Sequence, residues 1–424
     1  MSMHPRHPEP SMHRRQLLQA SALALGGLPV SLLRAQTAAP KKLVVVMLRG
    51  AVDGLSVVAP YGERDYAAGR PQIALPAPGA EDGLLKLDSL FGLHPSLSML
   101  KRHWDGGQLA FVHASGSPDA TRSHFDAQDY FESGTPGRKS TPDGWMNRLL
   151  AALPGEPAPT RGVSQGSTPP RIFAGTASVA NLGLGPNALQ RRSIDNPQMQ
   201  AGLAKLYAQD PALSATLRDT TEGRGEMARS MASGMAPGER SMDPTADAGA
   251  PSARSFAADA LRLGTLIRKD PHTQLAFTAV GGWDTHVNQG AARGQLANRL
   301  ASLGQGLDAL ATGLGDAYRD TVIVVASEFG RTVRQNGNGG TDHGRGNVMW
   351  LLGGPVAGGR VLGEWPGLDR AALADGRDLA VTTDFRQVLA AVLQRHLGLP
   401  DSALASVFPQ PGAAWRQAGE LVRS

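Results

Sequence analysis

The strongest constraint on this 424-residue chain is a series of short, mainly apolar runs, spaced so that a helix fits between most of them. Leu43 to Leu48 reads LVVVML, six apolar residues rich in β-branched side chains. A strand with one solvated face would alternate apolar and polar positions, so a continuous run marks a strand covered on both faces, the habit of parallel sheets. The runs Gln108 to His113, Arg171 to Ala174, Leu275 to Val280, Thr321 to Ala326 and Val348 to Leu352 read as further strands. Between or after them, 97–104, 123–131, 255–269, 295–314 and 385–397 have helical patterns. The 255–269 segment places Phe256, Ala260, Leu261, Leu263, Leu266 and Ile267 near one face. Strand–helix alternation over this length predicts an α/β fold, a mainly parallel sheet with helices on both faces. One α/β domain is expected over 41–410. The stretch 217–252 mixes Gly, Ser, Met, Pro and Ala with charges and has no aromatic residue, which predicts a flexible insertion or a loose helical excursion outside the core.

The N-terminus is expected to be removed. His13 to Gln19 reads HRRQLLQ, a twin-arginine signal, and the apolar stretch Ala20 to Leu33 precedes Arg34 and Ala35. Gly26, Gly27 and Pro29 interrupt that stretch. A spanning helix needs about 20 mainly apolar residues, so a leader over 1–35 is expected in place of a permanent anchor. The twin-arginine export machinery is then a partner, and the mature chain is expected to be periplasmic or secreted. The formal charge of +5 includes Arg6, Arg14, Arg15 and Arg34 against Glu9, so the mature chain is near +2. No basic stripe argues for nucleic acid. Cysteine is absent, so an exported product relies on its core and not on disulfides.

Polar residues with chemical potential fall just beyond the strands, where ligands sit in open α/β sheets. Asp53 follows the first run. Thr121, Arg122, Ser123 and His124 follow the second. Asp284 and His286 follow Val280, Glu328 and Arg331 follow Ala326, and Asp342 and His343 lead into the run at Val348. Carboxylates at Asp53, Asp284, Glu328 and Asp342, with imidazoles at His286 and His343, suit a divalent metal such as Zn, Mn or Mg, with Ca also open. Ser123 or Thr121 is a candidate nucleophile. Arg49, Arg122 and Arg331 are candidate oxyanion clamps. Plain structural roles stand beside these. Asp53 also suits a turn, Ser123 a helix cap, Glu328 a cap or an Arg331 partner, and His343 a solvated turn.

These motifs together resemble a family. Leu48 to Leu55 (LRGAVDGL), Arg122 to Asp129 (RSHFDAQD), Gly282 to His286 (GWDTH), Ser327 to Thr332 (SEFGRT) and Asp342 to Gly344 (DHG) are similar to the bacterial family of domain-of-unknown-function 1501. That family is grouped with the alkaline phosphatase and sulfatase superfamily, so the resemblance implies an alkaline-phosphatase-like domain. It implies that Asp53 is a metal-binding acid at the end of the first strand, and that Ser123, or Thr121, is the nucleophile at a helix start. Asp284 and His286 then resemble the middle ligand pair, and His343 a later ligand. Glu328 keeps an acid where Phe329 replaces an expected imidazole, and no cysteine exists to become a formylglycine. The expected function is metal-dependent hydrolysis of phosphate or sulfate esters, on a small-molecule or polymer substrate. The alternative is a non-catalytic exported binding or assembly protein on the same fold.

Overall fold

In the computed structural model the described residues are 40–139, 141–185, 188, 193–230, 246–409 and 421–423. The leader expected over 1–35 lies outside them. The first apolar run becomes strand β1, Lys42–Leu48, buried along its whole length. Its alternate side chains serve two cores: Val44, Val46 and Leu48 face one, and Leu43, Val45 and Met47 the other. The remaining strands of the large sheet are β2 (Leu109–Gly116), β3 (Gly162–Gln165), β4 (Ala180–Leu182), β5 (Leu275–Val280), β6 (Thr321–Ser327), β7 (Asn347–Leu352), β8 (Arg360–Leu362) and β9 (Thr383–Asp384). Their order is β8-β2-β7-β6-β1-β5-β3-β4, with β9 also beside β2. Pairing is parallel except at β7, which runs antiparallel to both β2 and β6. A three-stranded antiparallel sheet of Val58–Ala59, Gly92–Leu93 and Leu85–Lys86 lies apart from it.

The helices that matter here are α1 (His124–Ser133), α2 (Trp145–Ala152), α3 (Pro211–Ser230), α4 (Phe256–Lys269), α5 (Gln295–Leu314) and α6 (Phe385–Arg395). On α5, Leu296, Leu300, Leu303, Leu307, Leu310 and Leu314 are fully buried at three- and four-residue spacing. Each such leucine is worth about 1.5–3 kcal/mol of burial. Helices α4 and α5 cover the face of Val44 and Val46, and α2 and α6 cover the face of Val45 and Met47. No helix among the described residues is long and apolar enough to cross a membrane.

Two expectations change. Arg171 to Ala174 is not a strand: Arg171–Phe173 is a 3-10 turn, and the sheet is extended on that side by β3 and β4. Both strands are short and contain polar residues, Ser164, Gln165 and Asn181, so apolar runs do not reveal them. The stretch 217–252, expected as a flexible insertion or a loose helical excursion outside the core, begins inside helix α3, but Met227 there is buried in the core. It ends in a docked strap, with Ala246, Asp247 and Ala250 buried. Residues 231–245 lie outside the described set.

Candidate functional site

Five segments meet at one end of the sheet. The carboxyl ends of β1, β5 and β6 deliver Arg49–Gly50, Gly281–His286 and Glu328. The loop after β2 leads into α1, which opens with His124. Because β7 is antiparallel, its start and not its end lies at this edge, so Asp342 and His343 reach the same place from the other direction. Close packing of the loops depends on Gly50. It sits at φ +109, and a Cβ there would lie 2.8 Å from the backbone nitrogen of Asp284. A left-handed backbone and this approach together demand glycine.

His124, Asp284 and His343 each offer an atom to a common point, all within 4.8 Å of one another. His124 Nε2 lies 3.1 Å from His343 Nε2. His343 Nε2 lies 3.3 Å from Asp284 Oδ1, and His124 Nε2 lies 3.8 Å from Asp284 Oδ2. His286 joins from one side, its Nε2 3.0 Å from His343 Nε2 and 2.9 Å from Asp284 Oδ1.

The outer nitrogens fix how these rings present themselves. His124 Nδ1 is 2.8 Å from Glu328 Oε1, His286 Nδ1 is 3.1 Å from Asp342 Oδ1, and His343 Nδ1 is 2.9 Å from the carbonyl of Arg122. A carboxylate or carbonyl only accepts, so each Nδ1 donates and each neutral ring turns an Nε2 lone pair inward. Three inward lone pairs beside a carboxylate repel unless a cation joins them. This is the outer-shell arrangement that orients metal-ligating imidazoles. Ligand atoms about 2.0–2.1 Å from a tetrahedral zinc ion stand about 3.3–3.4 Å apart. The His124–His343 and His343–Oδ1 separations of 3.1 and 3.3 Å come close to that value, whereas His124 stands 3.8 Å from the other carboxylate oxygen, Oδ2. His124, Asp284 and His343 therefore fit a divalent ion, with His286 adjacent.

Without an ion the same crowd of charge shifts its members' protonation. Burial works against the charged form of His124, but Asp284 and Glu328 outweigh it and raise the ring to about 9. Burial raises Asp284, yet hydrogen bonds from His124 and His343 and the charges of Arg331 and His286 hold it well below the carboxylate range. Glu328 is fully enclosed, and His124 and Gln128 hold it below its ordinary value against the pull of burial. Asp342 is lowered chiefly by the Asn336 amide, with His286 adding to it.

The other expected residues lie elsewhere or act differently. Asp53 is not at the cluster. It is fully buried and engaged by Arg70 at 2.6 and 3.1 Å, with Ser56 Oγ and Gln289 Nε2 each at 2.7 Å. The guanidinium fills the space beside its carboxylate that an ion would need, so Asp53 serves a buried ion pair. Glu328 stands behind His124 as its hydrogen-bond partner, and Asp342 stands behind His286. Arg331 is saturated: it donates to the carbonyls of Ala51, Trp283 and Thr341 and to Asp284 Oδ1 at 2.6 Å, and its Nη1 stands 3.5 Å from His286 Nε2. It ties three loops together and has little left for an oxyanion. The Arg122 guanidinium is held by Asp378 and Asp375, and only its carbonyl serves the site. Arg49 donates to Glu132 and to the carbonyl of Ala248.

Neither candidate hydroxyl touches the cluster. Ser123 caps α1, its Oγ accepting from the Asp126 nitrogen at 3.5 Å, and Thr121 Oγ1 accepts from the Ser123 nitrogen at 3.2 Å. Phe329, in place of the expected imidazole, is buried, with its ring 4.9 Å from that of His124 and 5.1 Å from that of His343. It forms an apolar wall behind both. His124 is the member that sequence reasoning passed over in favour of its neighbours Ser123 and Arg122. The signal was present: a histidine beyond a strand, the same placement that singled out His286.

The profile of the family described as "Protein of unknown function (DUF1501)" matches residues 40–408. Among curated proteins, none matches the sequence. Solved structures resemble the fold at low identity. A protein in the alkaline phosphatase superfamily from Vibrio parahaemolyticus is 9% identical with a TM-score of 0.42, over 88% of this chain and 71% of its own. The PsFucS1 sulfatase from Pseudoalteromonas sp. is 13% identical with a TM-score of 0.39, over 98% and 78%. The alkaline phosphatase from the Antarctic bacterium TAB5 is 13% identical with a TM-score of 0.35, over 77% and 95%.

Proposed function

The chain belongs to the DUF1501 family over residues 40–408, and from its site we propose that this member is a metal-dependent hydrolase of phosphate or sulfate esters, acting after twin-arginine export. The observation that carries the reading is the convergence of His124, Asp284 and His343 within 4.8 Å, each imidazole backed by an acceptor on its outer nitrogen. The donor set is imidazole and carboxylate without thiolate, which suits Zn or Mn and leaves Mg open. When bound, such an ion polarises an ester oxygen and makes water a better nucleophile at neutral pH.

The chain's own residues supply the rest. Asp284 and the two imidazoles hold the ion, and Glu328 fixes His124 with Nε2 inward. His286 is the more open ring, with 39% of its side chain exposed and Asp342 on its Nδ1. It is placed to take a proton at Nε2 from an attacking water and to return it to the leaving alcohol. Ser123 and Thr121 are left without a role in covalent attack, so water is the nucleophile in this reading. Arg331 keeps Asp284 in place and limits its freedom to rotate away.

The test is metal analysis of the purified full chain with a panel of phosphate and sulfate esters. Bound metal and ester turnover, both lost in Asp284→Ala and His343→Ala, are expected. A chain that takes up no divalent ion, or turnover that survives both substitutions, refutes the reading. The engagement of Arg331 and Arg122 by other partners favours a second reading, a binding protein that keeps the ion but not the chemistry. Metal binding without turnover of any ester on the panel separates it from the first.

A further inference from the structure

The strap 246–250 and residue Gln128 are absorbed by neither the fold nor the proposed reaction, yet they lie directly behind the cluster. Gln128, on α1 and buried, donates from one nitrogen to two acceptors: the carbonyl of Ala246 at 2.7 Å and Glu328 Oε1 at 3.0 Å. That Glu328 oxygen is the one that holds His124 Nδ1, and it also accepts from the Gly50 nitrogen at 2.8 Å. The next strap residue, Asp247, is 1% exposed, and its Oδ1 accepts from the Gly282 nitrogen at 2.6 Å. Its carboxylate fits so closely that a Cβ on Gly281 would stand 2.5 Å from its Cγ. Arg49 then donates to the Ala248 carbonyl at 3.1 Å, and the Gly281 nitrogen to the Pro251 carbonyl at 2.8 Å.

The strap therefore touches both sides of the ion site. One path runs from Ala246 through Gln128 and Glu328 to His124. The other runs from Asp247 through Gly282, two residues before Asp284. We propose that Gln128 and Asp247 are positioning residues, which transmit the docking of the 246–250 strap to His124 and Asp284 and so set the affinity for the metal. The inference rests on the metal reading above. It adds that the segment entering the site after residue 245 is a working part of it. The charge of Arg299 also acts on Asp247, but a strap with only a packing role has no reason to bind the backbone N–H at the root of a ligand loop and also to share a donor with the partner of a ligand.

The test uses the purified full chain, titrated with Zn2+ in competition with a chromophoric chelator. Variants are Gln128→Met, Asp247→Ala and Asp247→Asn, and metal-free thermal unfolding is measured beside each titration. Outer-shell losses cost about 10–100-fold in metal affinity, so Gln128→Met and Asp247→Ala are expected to weaken Zn2+ binding by that factor at a temperature where the metal-free transition shows each variant still folded. Asp247→Asn keeps an oxygen for the Gly282 nitrogen and is expected to recover binding to within about 3-fold of the parent, against the outer-shell scale of about 10–100-fold. Co2+-loaded Gln128→Met should also show an altered visible spectrum, since His124 is released from one restraint on Glu328. If both weakened variants bind Zn2+ as tightly as the parent, the positioning role is overturned while the metal site stands. If the parent itself takes up no Zn2+, the metal reading fails and this inference with it. Should Asp247→Ala not fold, Gln128→Met decides.

Discussion

Replacing Arg70 by methionine separates the two roles considered for Asp53. Arg70 is fully buried and donates five hydrogen bonds: two to Asp53, one to Ser56 Oγ at 3.2 Å, and one each to the carbonyls of Val333 at 2.8 Å and Thr332 at 2.9 Å. Methionine fills much of the volume but donates nothing. Asp53 would keep only Ser56 and Gln289, and a buried carboxylate would lose its countercharge. Breaking a buried pair from one side costs about 3–5 kcal/mol, a large part of the roughly 5–15 kcal/mol that holds a domain folded. The pH dependence follows from the same atoms. In the parent, burial pushes Asp53 up but Arg70, Ser56 and Gln289 hold it below the usual range. Its contribution is therefore present above its unfolded value near 3.9 and is lost only as pH falls through the depressed native value. In Arg70→Met, burial dominates and the native value rises, so the variant's deficit is larger at pH 7 than near pH 4. Urea unfolding followed by tryptophan fluorescence at both pH values measures it, and Arg70→Met with Asp53→Asn should recover part of the loss. A deficit below about 1 kcal/mol at pH 7, well short of the expected cost, refutes the assignment of Asp53 to the ion pair. So does an equal deficit at both pH values.

Three further outcomes are expected. In the metal-free protein His124 keeps its proton up to about 9, so the stabilisation from its charged form is full below its unfolded value and fades as pH rises through 9. Metal uptake at pH 7 must then release a proton and tighten toward pH 9, which calorimetry in buffers of different ionisation enthalpy will read; uptake without proton release contradicts it. Gly50→Ala forces a Cβ against the Asp284 and Trp283 backbone at φ +109, which should cost at least about 1–3 kcal/mol in chemical unfolding and weaken metal binding. Ser123→Ala removes a helix cap, so it should lower stability by about 0.5–2 kcal/mol yet leave ester turnover per bound metal unchanged, and loss of turnover would restore Ser123 as nucleophile.

The sheet was legible because its central strands are buried on both faces, and such burial writes itself as runs like LVVVML and TVIVVA. It was illegible at β3 and β4, where three- and four-residue strands carry Ser164, Gln165 and Asn181. The antiparallel sense of β7 left no trace either, because a two-face-buried strand reads the same in both directions. His343 stood out because it stands beside Asp342 in a Gly-rich loop that feeds a strand, and Asp284 and His286 because a polar side chain just beyond a strand faces the usual ligand edge. Asp53 shared that placement, and only the fold shows that Arg70, 17 residues on, turns back to claim it. His124 was hidden by neighbours whose hydroxyl and guanidinium looked more reactive. The roles of Glu328 and Asp342 depend on which imidazole each carboxylate meets, and no local pattern encodes that.

Metal content and X-ray absorption of the purified chain, taken together, bear most directly on the central claim that His124, Asp284 and His343 share one ion. The expected result is one divalent ion per chain with imidazole nitrogens at about 2.0–2.1 Å, retained in Asp53→Asn and lost in His343→Ala. An ion that persists in His343→Ala, or that leaves with Asp53→Asn, contradicts the account.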